Sequence, residues 1–207
     1  MGDSVHVWLA PAGDPSAAHT LLLDLAASLL GGTPSLHHTP TGQPHIDGLS
    51  VSLSRTPTLT AAAASFAAPV GIDIEDLHPR EVGGLARRWF DPLELQWLTG
   101  QADQLTAFLH LWTAKEAVGK ALGLGLHNTG LRRRMPLPPT NDPPLRAGLV
   151  PSAPTLAVLH PPVDKQTILA LAAPATTAEL AVTTHHQAVP HRTVASQTSL
   201  RVVTQGN

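Results

Sequence analysis

Apolar and polar positions alternate or repeat along most of this chain, and the periods mark its elements. Residues 5–9, VHVWL, read as a short strand. Residues 16–30 carry Leu21, Leu22, Leu25, Leu29 and Leu30 at helical spacing, and Gly31-Gly32 stop that helix. Residues 33–48, rich in Pro, Gly, His and Thr, read as a loop. Residues 49–54, LSVSLS, alternate strictly and predict a half-buried strand. Residues 58–68 and 69–75 read as two more strands.

Short helical pieces are expected over 80–90 and 92–99, the second opened by Asp91-Pro92 as N-cap and first helical residue. The longest helix covers 103–122, with Leu105, Phe108, Leu109, Trp112, Ala117 and Leu122 on a broad apolar face and Gly123 and Gly125 ending it. Residues 131–154, dominated by Pro and Arg, read as an extended spacing loop. Residues 155–160 and 167–172 look like a returning hairpin, 178–184 an edge strand, and 185–207 a frayed polar tail.

Charge and composition narrow the picture. The chain of 207 residues has 43% hydrophobic and 14% charged residues, a globular profile rather than a disordered one. A net charge of −2 gives no global field for nucleic acid. The absence of cysteine excludes disulfides, thiolate metal sites and a cysteine nucleophile, and fits a cytoplasmic location. No secretory signal or membrane-length apolar run is visible, so no membrane association is expected. The histidines number twelve and include the pairs His37-His38 and His185-His186, which on a strand point to opposite faces; loop and tail positions explain them better than a metal site. Ser52 and Ser54 share one strand face without a Ser-His-Asp arrangement. No internal repeat is found.

Two stretches carry candidate chemistry. In GIDIE, Asp73 and Glu75 stand two apart on a strand, so both carboxylates share one face while Val70, Ile72 and Ile74 take the other. Adjacent like charges need a neutralising partner, and a hard divalent cation such as Mg²⁺ is one; solvated acids at a strand exit are the alternative. In the long helix, Trp112, Lys115, Glu116, Gly119 and Lys120 lie along one stripe. Glu116 and Lys120 can be an ordinary exposed i, i+4 pair. Gly119, costly in a helix, instead suits close approach to the backbone. Together, Asp73, Glu75 and Glu116 can hold Mg²⁺, Lys115 and Lys120 can bind phosphates, and Glu116 can take a proton from an attacking hydroxyl.

These residues resemble a known family. VGIDIE at 70–75, RRWFDPLELQWL at 87–98 and LWTAKEAVGKALGLGL at 111–126 are similar to the patterns (V/I)G(V/I)DIE, F-F-x-x-x-E-x-x-x-L and W-x-x-K-E-A-x-x-K-x-x-G-x-G-L of the Sfp-type 4′-phosphopantetheinyl transferases. TGQP at 41–44 and LSVSLS at 49–54 resemble that family's G-(K/R)-P and F-N-(I/L)-S-H-S. Gln43 stands where the family has Lys or Arg, Ser50 where it has Asn, and Leu53 where it has His.

The resemblance implies an α+β fold of two pseudo-twofold lobes, here a shortened lobe over 1–69 and a second over 70–184, followed by the tail. It implies a monomer with the site between the lobes. It implies Mg²⁺-dependent transfer of the 4′-phosphopantetheine arm of coenzyme A to a serine of an acyl or peptidyl carrier protein. Asp73, Glu75 and Glu116 then match the metal ligands, Glu116 also the base, and Lys120 the pyrophosphate lysine. Lys115, Gln43, Pro44 and Ser52 fall with Lys120 among the coenzyme-binding positions. Two further readings stand beside this one: a relative recruited to different chemistry in a natural-product pathway, and a non-catalytic carrier-protein binder.

Overall fold

A computed structural model describes residues 3–67, 69–124, 130–138, 145–187 and 194–205. In chain order the strands are β1 (Asp3–Pro11), β2 (His37–His38), β3 (Pro44–His45), β4 (Ser50–Arg55), β5 (Leu59–Ser65), β6 (Gly71–Asp76), β7 (Leu145–Val150), β8 (Ala153–Leu159), β9 (Thr167–Pro174), β10 (Thr177–His185) and β11 (Val194–Gln205). The helices are α1 (Pro15–Leu30), α2 (Gly83–Trp89), α3 (Pro92–Thr99) and α4 (Gln104–Ala121), with a 3₁₀ turn at Gly130–Arg132. The mixed α+β class expected from the sequence is present. No helix among the described residues is long and apolar enough to cross a membrane.

Nine strands form one sheet in the order β4-β5-β1-β10-β11-β7-β8-β9-β6. The β1–β10 and β11–β7 pairs are parallel and the others antiparallel. The two end strands meet through side chains. The backbone N–H groups of Val70, Ile72 and Ile74 donate to the hydroxyl oxygens of Ser50, Ser52 and Ser54 at 2.9, 3.0 and 3.3 Å. Alternate serines all project to one side of β4, which makes this seam possible.

Alternation along each strand sorts the core into layers. Val5, Val7 and Leu9 of β1, Ile72 and Ile74 of β6, Leu169 and Leu171 of β9 and Leu180 of β10 share one apolar cluster. The opposite faces carry the helices. Helix α1 is capped by Asp14, whose carboxylate accepts from the Ala17 N–H at 2.9 Å, and is closed by Gly31 at φ 72°. It lays Leu21, Leu22 and Leu25 against Ala62 and Ala64 of β5. Helix α4 lays Leu109, Leu111, Ala117 and Val118 against Ala170 and Ala172 of β9.

Four sequence expectations need correction. Residues 33–48 contain the small β2–β3 hairpin, in which His37 faces His45 across the strands. The stretch 131–154 contains β7 and the start of β8; Leu145, Ala147 and Leu149 alternate, but the run is short and the prolines and arginines before it dominate the composition. Residues 139–144 lie outside the described residues. The segment 178–184 belongs to an interior strand, because β10 is flanked by β1 and β11. The supposed tail supplies β11, which buries Val202 in the core while most of its side chains face solvent. Residues 188–193 and 206–207 lie outside the described residues, as does Gly125. One sheet thus runs through the boundary drawn at residue 69.

Candidate active site

The site begins with a glycine. A Cβ on Gly71 would sit 2.0 Å from the Ala117 carbonyl oxygen and 2.6 Å from the Ala121 nitrogen. Only glycine lets α4 lie this close on β6. The close approach that Gly119 suggested in the sequence is made here, by the strand, while Gly119 itself is buried within α4. Helix α4 starts on Asp103, which accepts from the Thr106 N–H at 3.0 Å, and ends at Gly123 with φ 70°. With backbone against backbone, the outward carboxylates of β6 reach the C-terminal half of α4.

Asp73 is 7% exposed. Its Oδ1 accepts from the Ser54 hydroxyl and from the Lys120 ammonium, each at 2.8 Å. Lys120 Nζ also donates to the Ile72 carbonyl at 2.8 Å and to the Leu53 carbonyl at 3.3 Å. An ammonium has three protons, so these contacts engage all of them and tie β4, β6 and α4 together. Burial pushes the Asp73 carboxyl above the ordinary carboxylate range, against the pull of Lys120 and Ser54.

Glu116 is half-buried beside them. Burial first, then the Asp73 charge, pushes its carboxyl up to about 7; Lys120 opposes the shift and Glu75 adds to it. Glu75, at the exposed end of β6, accepts from Arg80 at 2.8 Å. The three acids therefore feel one another electrostatically. They do not form a ready-made cage: among the described residues, no three His, Asp or Glu groups are gathered closely enough to hold a metal ion. Asp73 and Glu75 are each paired with a side-chain cation instead. An all-oxygen set of mutually repelling carboxylates nevertheless has the donor chemistry that a hard cation takes, so the residues fit Mg²⁺ through the carboxylate oxygens that Lys120 and Arg80 leave open.

Lys115 does not line this site. Its ammonium is fully buried on another side of α4, 2.8 Å from both carboxylate oxygens of the fully buried Glu94, and it donates to the Arg133 carbonyl at 2.6 Å. Glu94 also accepts from the Asp91 N–H at 2.8 Å and from the Met135 N–H at 2.7 Å, so it closes the cap of α3 and pins the segment after the 3₁₀ turn. Phe90 packs 5.1 Å from the ammonium and stacks on Phe108, which stacks on Trp112. Lys115 is thus a structural anchor; a lysine with both ends of its bonds inside the core has no proton to offer a phosphate.

The other coenzyme-binding candidates divide in two. Gln43 and Pro44 line a cleft of about 310 Å³ together with Ser50, Val70, Lys120 and Gly123, and Gln43 donates from its amide to the Lys120 carbonyl at 3.1 Å. Ser52 instead is 4% exposed and sits inside the seam, with its hydroxyl accepting from Ile72. Sequence reasoning passed over Ser54 and Arg80 as partners of the acids. The Ser50-Ser52-Ser54 alternation was the available signal for the first; nothing local signals the second. Of the paired histidines, His37 and His38 are exposed on β2, whereas His185 is buried at the end of β10 against Trp8.

Residues 69–170 match the family model of the 4′-phosphopantetheinyl transferase superfamily. The chain is also similar to the 4′-phosphopantetheinyl transferase gsp of Aneurinibacillus migulanus, 34% identical over 89 residues, which are 42% of this chain and 37% of that protein. It is similar to the 4′-phosphopantetheinyl transferase psf-1 of Bacillus pumilus, 46% identical over 61 residues, 28% of this chain and 26% of that one. The similarity spans well under half the length of either relative, and the family-model match covers β6, α3 and α4, which carry Asp73, Glu94, Glu116 and Lys120. The part of the chain that builds this site, residues 69–170, is thus similar to the 4′-phosphopantetheinyl transferase superfamily.

Proposed function

We propose that this protein transfers the 4′-phosphopantetheine arm of coenzyme A to a serine of an acyl or peptidyl carrier protein. The observation that carries this reading is the meeting of Asp73, Glu116 and Lys120 beside a cleft, with Glu116 held at about 7 by burial and by Asp73. Such a carboxyl is suited to take the proton of an attacking hydroxyl near neutral pH. In the reaction, the carrier serine oxygen bonds to the phosphorus that bears the pantetheine arm. The bond from that phosphorus to the bridging oxygen breaks, 3′,5′-ADP leaves with the electron pair, and the serine proton passes to Glu116. Mg²⁺, which Asp73, Glu75 and Glu116 would hold, supplies positive charge to the pyrophosphate oxygens. Gln43 and Pro44 border the cleft that the coenzyme would enter, and Lys120 lies at its edge.

In this reading β1–β5 with α1 and β6–β9 with α4 correspond to the two lobes of the family plan, the serine seam is their junction, and the protein works as a cytoplasmic monomer. One observation favours a second reading, a carrier-protein binder without catalysis: every proton of the Lys120 ammonium is engaged by the protein itself.

Incubation with coenzyme A, Mg²⁺ and apo carrier proteins separates the two readings. Transfer appears as the mass increase of one phosphopantetheine arm on the carrier. Glu116→Gln should reduce the rate by about 10²–10⁴-fold, the usual worth of a general base, with the fold retained. A carrier that binds but gains no mass supports the second reading, and full activity in Glu116→Gln removes Glu116 from the chemistry.

A further inference from the structure

The seam between β4 and β6 contains three equivalent hydrogen bonds, from Val70, Ile72 and Ile74 to Ser50, Ser52 and Ser54. Only one of these serines does something more. The Ser54 hydroxyl accepts from the Ile74 N–H and donates its own O–H to Oδ1 of Asp73 at 2.8 Å. The pair is buried, Ser54 being 9% and Asp73 7% exposed. Lys120 takes the same Oδ1 at 2.8 Å. Oδ2 of Asp73 has no hydrogen bond among the described residues. Two donors on one oxygen and none on the other fix both the rotation of the carboxylate and the division of labour between its oxygens.

We infer that Ser54 is a positioning residue: with Lys120 it commits Oδ1 of Asp73 to the protein and leaves Oδ2 as the oxygen that engages a divalent cation. The inference rests on the proposed transferase reading and names a residue that touches neither cation nor substrate. An outer partner of a metal-binding carboxylate has a large effect because it removes the rotational freedom of the ligand before the ion arrives. Ser54 is well placed for this. Its oxygen is held by the amide of Ile74, the residue next to Asp73 on the same strand, so the hydroxyl and the carboxylate move as one unit.

The seam supplies its own control. Ser52→Ala removes the acceptor of the Ile72 N–H, a loss of the same kind as Ser54→Ala inflicts on Ile74, but leaves Asp73 untouched. The experiment titrates the full chain with Mn²⁺, read by the loss of the free-ion paramagnetic signal, and measures the Mg²⁺ dependence of arm transfer in parallel. Thermal unfolding is recorded for each variant. Ser54→Ala should raise the Mn²⁺ dissociation constant and the Mg²⁺ half-saturation by about 10–100-fold, while Ser52→Ala changes them by less than about threefold, although both lower Tm similarly. Should Ser54→Ala fail to fold, Ser54→Cys offers a weak S–H donor in nearly the same space and should show the same separation. Equal ion affinities in the Ser52 and Ser54 variants overturn the inference. Mn²⁺ binding by the wild-type protein without arm transfer overturns the proposed reaction alone, with Ser54 still judged by the Mn²⁺ titration. Absence of Mn²⁺ binding in the wild-type protein overturns both.

Discussion

Lys115 and Lys120 stand five residues apart on α4 and live in opposite surroundings. Lys115 is sealed among Glu94, the Arg133 carbonyl and the Phe90 ring, with no side-chain exposure. Lys120 keeps a quarter of its side chain open, at 26%, and faces two strand carbonyls and Asp73. Five residues turn a helix by about 140° past a full turn, so the two ammonium groups leave α4 on different sides. One helix thereby joins two functions. Its Lys115 side fastens α3 and the segment around Met135, and its Lys120 side gathers the acids of β6. A buried ion pair is worth little against an apolar replacement, yet breaking one half of it is costly; the pair is therefore better understood as a device that fixes where α3 and α4 sit than as a source of stability.

The largest effect should come from breaking the buried node. Lys115→Met leaves the Glu94 charge unpaired in the core and should cost about 3–5 kcal/mol, a Tm loss of about 10 °C or more for a chain of this size, read by circular dichroism at pH 7. Adding Glu94→Gln, which removes the stranded charge but keeps an acceptor for the Asp91 and Met135 amides, should recover much of that loss. The corresponding Lys120→Met change should cost less, about 1–3 kcal/mol for the hydrogen bonds of a partly exposed ammonium, while arm transfer falls far more than stability does. A Lys120 variant that unfolds as readily as the Lys115 one would erase the distinction between anchor and site.

The smallest effect concerns pH. The folded-state carboxyl of Glu116 titrates at about 7 against an ordinary 4.5. Between those values the unfolded chain gives up this proton while the folded protein keeps it, so this group's contribution to stability declines as pH rises from about 4.5 to 7 and is level above. In metal-free buffer, Tm of Glu116→Gln relative to wild type should therefore climb across that window and stay constant at higher pH. A Tm difference that does not change with pH would place Glu116 in water rather than against Asp73.

What the sequence made legible follows its short-range periods. Strict alternation in GIDIE put Asp73 and Glu75 on one face, and the i, i+4 relation put Glu116 beside Lys120; both are local facts. Lys115 shares the stripe of Glu116 and Lys120 by helical spacing, but its partner Glu94 lies 21 residues upstream, and no period encodes a partner at that distance. Ser54 was noticed as a serine, but its bond to Asp73 spans 19 positions. The strands β7 and β11 escaped for another reason. Most of the β11 side chains face solvent, so its pattern is polar, and its place follows from pairing with β10 and β7 rather than from its own composition. The β6–α4 contact is the intermediate case: the glycine of VGIDIE and the helix over 103–122 are both legible, while their packing against each other is not.

The serine seam has a consequence for solubility. The free amides of an end strand are the template on which a second chain can add itself, and β6 is such a strand, apolar on one face and close to the site. Its outward amides at Val70, Ile72 and Ile74 are already bonded to hydroxyls of β4. A hydroxyl occupies an amide without extending the ladder, so the sheet ends on a surface that another strand cannot continue, and β6 remains close enough to α4 to keep its carboxylates in place.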